Sequence, residues 1–179
     1  MTNPESDHRL GELILFICQK SATDHYFGAI KLNKLLYYSD FLAYAKWGKT
    51  ITGAEYWNLS EGPAPKRLVQ VREALLNSKP PSLAIQENQF PTYTQKRPIQ
   101  LRPPNRSLFR GDELELVEDV IEEHRGFTAR AIRDKSHHEW GWILTREKET
   151  IDPASILLAP ETEALSDAEI EHILGPVSA

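Results

Sequence analysis

The residues best suited to chemistry fall into three groups. Tyr37 and Tyr38 are adjacent phenols with Lys34 one turn earlier, and they would move protons only beside an acid of strongly perturbed pKa. His137-His138-Glu139, with His124 upstream, is the best candidate set of metal ligands. Adjacent histidines diverge on a helix or a strand, however, and one cysteine, Cys18, cannot complete a structural zinc site. They read as helix-terminal or surface histidines, and no metal is expected. The third group is cationic. Arg130, Arg133 and Lys135 follow Gly126 in the outline of a helix-turn-helix. The preceding segment carries Asp112, Glu113, Glu115, Glu118, Asp119, Glu122 and Glu123, which would repel phosphate where a DNA reader needs cations. A helical hairpin packed on the core is the expectation there.

No motif demands catalysis. The sequence has no P-loop, no G-x-G-x-x-G, no H-E-x-x-H and no G-x-S-x-G. Nucleotide, zinc-protease and serine-hydrolase readings thus lack their usual carriers, and neither a cofactor nor a catalytic residue is expected.

Charge narrows the choice further. The net charge of −5 is unevenly spread. Residues 1–63 carry six Lys/Arg against seven Asp/Glu, residues 64–110 nine against two, and residues 111–179 six against seventeen. The basic middle offers Lys66, Arg67, Arg72, Lys96, Arg97, Arg102 and Arg106 to an anionic partner, although internal neutralisation by the acidic third is the favoured reading. With 40% hydrophobic and 26% charged residues in 179, the chain suits one globular domain over 1–179. No run approaches the ~20 apolar residues of a membrane span, and no signal peptide is visible. A lone Cys18 in an apolar run fits a cytoplasmic protein.

The element that must position these groups is the stretch 29–47, which reads as one helix, apolar almost all round and therefore central and buried. Its one clear polar wedge holds Asn33 and Asp40, and Gly48 offers a left-handed stop. A first helix is expected from about Asp7 to Lys20, capped by Ser6 or Asp7. Residues 54–59 read as a short aromatic strand, and the loop 60–65 ends in a proline suited to open a third helix. Two edge-like strands fall between Ser82 and Pro104, and an acidic helix opens on the capping box Asp112-Glu113-Leu114-Glu115. A shorter helix follows Phe127-Thr128, and Ser166-Asp167-Ala168-Glu169 caps a last one. The fold class expected is mainly α (α+β), with a small antiparallel sheet or hairpin around the central helix.

The order of these pieces resembles a known family. Lys31-Leu32-Asn33-Lys34-Leu35-Leu36-Tyr37-Tyr38, the strand Glu55-Tyr56-Trp57, the Gly62-Pro63 turn, and an acidic helix leading to Ser136-His137 and then Trp140 are similar to the Panacea, or SocA-like antitoxin, domain. The likeness covers roughly residues 8–150, leaving about 151–179 as a helical extension. It implies a compact helical domain that binds and neutralises a protein toxin, without catalysis; one branch of the family instead delivers its toxin to a cytoplasmic protease. The chain departs from the family at Glu61, where an aromatic is common, and at Ala64-Pro65, where a larger residue is usual.

A cytoplasmic antitoxin acting on a cognate protein toxin is thus the leading expectation. A protease adaptor and a nucleic-acid-binding regulator are the alternatives, with an enzyme third. The nominated partner contacts are Trp57, Glu61, Gly62, Pro63, Lys66 and Arg67. Lys34 and the tyrosine hydroxyls are expected to fix neighbouring loops, including Gly62-Pro63.

Overall fold

The computed structural model describes residues 3–158. Six helices are described: α1 (Pro4–Lys20), α2 (Ala29–Trp47), α3 (Leu68–Asn77), α4 (Gly111–Glu123), α5 (Ala129–Ser136) and α6 (Trp140–Ile143). The strands are β1 (Tyr56–Trp57), β2 (Ala64–Pro65), β3 (Leu83–Gln89), β4 (Thr94–Gln100) and β5 (Thr150–Ile151). The class is mainly α with small antiparallel sheets, as the sequence predicts.

α2 is the centre. It packs against α1, α4 and α5, against β2 and β4, and against a 3₁₀ turn at Pro153–Leu157. Gly48 closes it at φ 71°, its N–H donating to the Tyr44 carbonyl at 2.7 Å. Leu13, Ile14 and Ile17 of α1, Leu35, Leu36 and Phe41 of α2, Val117 and Val120 of α4, and Ile132 of α5 form one interior. Several elements around a helix explain why its sequence is apolar on more than one face.

Local departures have local causes. α1 begins at Pro4 rather than Asp7, because Asn3 accepts the Ser6 N–H at 3.3 Å and Pro4, with no N–H to lose, fits the first turn. Pro65 does not open α3. It pairs with Tyr56 in β2, and α3 starts at Leu68. The aromatic strand shrinks to Tyr56–Trp57, held by β2 on one side and β5 on the other. β3 and β4 form a hairpin in register from Leu83↔Gln100 to Gln89↔Thr94, so both are edges and Pro98 is tolerated opposite Ile85. The acidic helix opens two residues early. Its Glu113 carboxylate accepts the Arg110 N–H at 2.9 Å, doing for Arg110 what the sequence assigns to Asp112 and Glu115. The capping box at Ser166–Glu169 lies outside the described residues.

Candidate functional site

Three charged groups of α2 are buried, and each is held. Lys31 Nζ donates to Asp24 Oδ2 at 2.5 Å and to the Phe127 carbonyl at 2.9 Å, joining the α1–α2 loop to the start of α5. Asp40, expected in a polar wedge, is fully buried instead. It accepts the Thr52 N–H and the Tyr56 hydroxyl, both at 2.8 Å. Burial pushes its carboxyl above the usual range while these donors pull it back. A buried charge without such partners would cost several kcal/mol, on the order of 3–5.

Lys34 is the third, and it organises the Gly62-Pro63 loop. Its Nζ donates to the Pro63 carbonyl at 3.0 Å. Burial pushes its ammonium down to about 7, with Glu61 nearby raising it and Arg133 lowering it. Gly62 sits at φ 87°, where a Cβ would lie 2.6 Å from Ser136 Oγ and 2.7 Å from Lys34 Nζ. Only glycine fits both the backbone and the space. From the other side Trp142 Nε1 donates to the Leu59 carbonyl at 3.1 Å, and the His137 ring stacks on the Trp142 ring at 4.1 Å. Asn58 Nδ2 donates to the carbonyls of Trp142 and Thr145 at 2.7 and 2.8 Å. Loop 58–63 is thereby clamped between α2 and residues 133–145.

The tyrosine hydroxyls do not share this task. Among the described residues the buried Tyr37 Oη has no hydrogen-bond partner and Tyr38 Oη has only Glu139 beside it, contrary to the expectation that they fix loops; the buried His137 Nε2 has no partner there either. The rings do the holding: Tyr37 packs on Phe41 at 4.2 Å and Tyr38 on His124 at 4.8 Å. The Tyr38 hydroxyl faces Glu139, whose carboxyl burial raises above its usual range; both phenols are raised well beyond theirs, again by burial first. A phenol beside a perturbed acid is the arrangement that proton transfer needs, but neither residue lines the groove formed by the starts of α2 and α5 and the β3–β4 hairpin. The histidines part company too. His124 Nδ1 lies 2.8 Å from the Val120 carbonyl and His138 Nδ1 2.8 Å from that of Asp134, and no metal-like cluster of His, Cys, Asp or Glu occurs among the described residues.

The basic middle segment is largely tied down. Arg97 donates to the carbonyls of Ser21, Ala22, Asp24 and Phe27, Arg102 pairs with Glu12, and Arg106 lies over the Phe16 ring. Arg67 pairs with Asp7 of α1 at 2.9 Å, and Lys66 lies 3.5 Å from Glu55. Of the nominated partner contacts, Gly62 and Pro63 are buried, while Trp57 is 38% exposed beside Lys66.

Glu61 lies elsewhere, in the wall of a groove of about 700 Å³. Its floor and walls come from the start of α2, the start of α5 and the far end of the β3–β4 hairpin. Gln95 Nε2 seats the hairpin by donating to the His25 carbonyl at 3.1 Å. Tyr26, Ile30 and Tyr93 are all exposed there. None of Trp57, Lys66 or Arg67 lines it. Sequence alone does not bring Tyr26, Ile30 and Tyr93 together, because they belong to three separate segments; the signal it carries is aromatic residues in a loop and at a hairpin end, Tyr26, Phe90 and Tyr93.

The inner charges of this helical domain secure its own loops, and its surface gathers aromatic and cationic side chains in one groove. A family model, that of the antitoxin SocA-like, Panacea domain, matches residues 32–143, more than half of the 179. The chain belongs to this family. The match takes in Leu32, Leu35, Leu36, both tyrosines, His137 and Trp140. No curated protein and no solved structure matches the chain. Among the described residues, no helix is long and apolar enough to cross a membrane.

Proposed function

We propose that this protein is the antitoxin of a toxin–antitoxin pair and neutralises its toxin by direct protein–protein contact in the cytoplasm. Membership of the SocA-like antitoxin family over residues 32–143 carries the reading. The disposition of charge supports it. Arg67, Arg97 and Arg102, which a nucleic-acid-binding regulator would turn to phosphates, hold the chain's own carboxylates and carbonyls. Catalysis is not part of the proposal, since Tyr38 is buried and neither it nor the half-buried Glu139 lines the groove.

Co-expression with the product of the adjacent reading frame tests the proposal. That product should arrest growth alone, be harmless with this protein, and co-purify with it at a fixed stoichiometry. Toxin abundance then separates two modes of action. Occlusion leaves the toxin level unchanged, whereas delivery to a protease lowers it only in cells that contain the protease. Equal arrest with and without this protein contradicts the proposal for that pair.

A further inference from the structure

We infer that the groove between the start of α2, the start of α5 and the β3–β4 hairpin is the toxin-contacting surface, and that it takes an acidic segment of the toxin bearing an apolar or aromatic side chain. The inference rests on the antitoxin reading and adds the contact face and the chemistry of the partner.

Three observations agree on the sign of the charge. First, the groove is lined by Lys96, Arg130 and Arg133 against the carboxylate of Glu61, with Asp134 beside the two arginines, which leaves a cationic balance on a chain whose net charge is −5. The surface here reverses the polarity of the molecule, so an acidic segment is steered to it and repelled elsewhere. Second, two helices begin in the groove. Gly28, Ala29 and Ile30 start α2, and Thr128, Ala129 and Arg130 start α5. Neither helix has an acidic residue in its first turn, and Gly28 gives α2 no side-chain cap. The Thr128 hydroxyl caps α5, and both N-terminal dipole ends border the groove without a carboxylate in their own first turn. Third, Arg130 is held only loosely, with its side chain 84% exposed and Asp134 at 3.8 Å. It can turn to a partner at little cost to the fold.

The apolar part of the partner follows from the walls. Tyr26 and Tyr93 are 47% and 54% exposed, and Ile30 lies at the start of α2 between the two other elements. Tyr93 also stacks on Phe90 at 4.8 Å, which stiffens the hairpin end. Tyrosine and arginine are the side chains that most often carry binding energy at protein interfaces, because they bury large area with few rotatable bonds and still offer a polar end. A second concavity on the other side of the hairpin shares Tyr26, Tyr93 and Gln95, so the aromatic surface continues around it. A nucleic-acid strand shares the preference for aromatics and cations. It is disfavoured because α5 is preceded by α4, whose acidic residues include Glu122 and Glu123, and because Arg97 and Arg102 are held by the chain's own carbonyls and carboxylate.

The test uses the full chain and the purified product of the adjacent reading frame, titrated calorimetrically, with melting temperature as a check on folding. Tyr93→Ser and Arg130→Glu should each weaken binding at least tenfold with melting unchanged, and Arg130→Lys should recover most of the loss. Trp57→Ser should bind as the parent does. Glu61→Gln should bind more tightly, because the carboxylate that lines the groove is gone; a basic partner would give the opposite sign. Groove variants that fold and bind within threefold of the parent overturn the inference while leaving the antitoxin reading intact. Absence of binding by the parent removes both for this pair. Fluorescence anisotropy with a labelled 20-nucleotide single strand adds one further arm, since tight binding lost in Arg130→Glu would assign the groove to nucleic acid instead. Self-association of the parent that Tyr93→Ser abolishes would assign it to a second copy.

Discussion

Between Lys31 and Asp40, α2 buries three charged groups, and each is bound by a loop that it fixes in turn: Asp24 and Phe127 on Lys31, Pro63 on Lys34, Thr52 on Asp40. At Ala29–Ile30 the same helix meets solvent in a groove where Arg130 is almost wholly exposed. The two regions touch at Glu61 and Arg133, 3.5 Å apart, one residue from the clamped glycine. The difference lies in how much hydrogen-bonding and Coulombic capacity remains. Inside, it is consumed in making the fold. In the groove it is available to a partner, and exposed ion pairs such as Glu61–Arg133 are weak enough, at roughly 0–1 kcal/mol, to exchange for new ones.

Substitutions inside should therefore damage the fold, and substitutions in the groove should damage binding alone. Leu35→Asp is expected to do the most. Leu35 is 1% exposed in the main core, and a buried unpaired carboxylate costs several kcal/mol, so the variant should be insoluble or unfolded by circular dichroism. Gly62→Ala comes next, at about 2–4 kcal/mol, because it adds a strained φ to contacts of 2.6 and 2.7 Å with Ser136 and Lys34. Urea denaturation measures that loss, and an unchanged midpoint would remove Gly62 from the clamp.

Lys34 gives the interior a pH signature. Its folded pKa of about 7 lies below its ordinary 10.5, so the unfolded chain holds more protons between those values. Stability must then rise with pH across that window. At ~1.4 kcal/mol per pKa unit, the melting temperature should climb by a few degrees from pH 7 to pH 8, before the Cys18 thiol, ordinarily near 9.0 and raised by burial in the fold, begins to offset the gain. Lys34→Met should flatten the slope. A parent protein with no slope would show that the Lys34 amine is solvated. Arg130→Glu should have the smallest effect on stability, within about 0.5 kcal/mol, as expected for an exposed side chain away from the core.

Much of this was legible in the sequence, and the boundary is instructive. The periodicity of Leu32, Leu35, Leu36 and Ala43, with glycine at position 48, gives the central helix and its end to within a residue. The pattern around Leu114, Val117 and Ile121 locates α4 less closely, since the helix opens two residues early because Glu113 can reach back to Arg110. The family resemblance rested on residues that fall within or beside the matched span. What periodicity cannot give is the fate of a charge. Asp40 looks like a surface residue until Thr52 and Tyr56 arrive from another segment, and Arg97 looks available until four carbonyls of the α1–α2 loop surround it. Ile30, Tyr93 and Arg130 likewise share a groove only after the hairpin folds back on α2 and α5. The nominated contacts Gly62 and Pro63 came from a loop that sequence alone leaves exposed, and burial by Lys34, Ser136 and Trp142 is a tertiary fact.

The central claim, that the protein neutralises a toxin by binding it, is tested most directly by one growth measurement. Cells expressing the product of the adjacent reading frame are compared with cells that also express this protein. The account predicts arrest in the first and normal growth in the second, with the two proteins recovered as a complex. Arrest in both, with this protein present and folded, would contradict it.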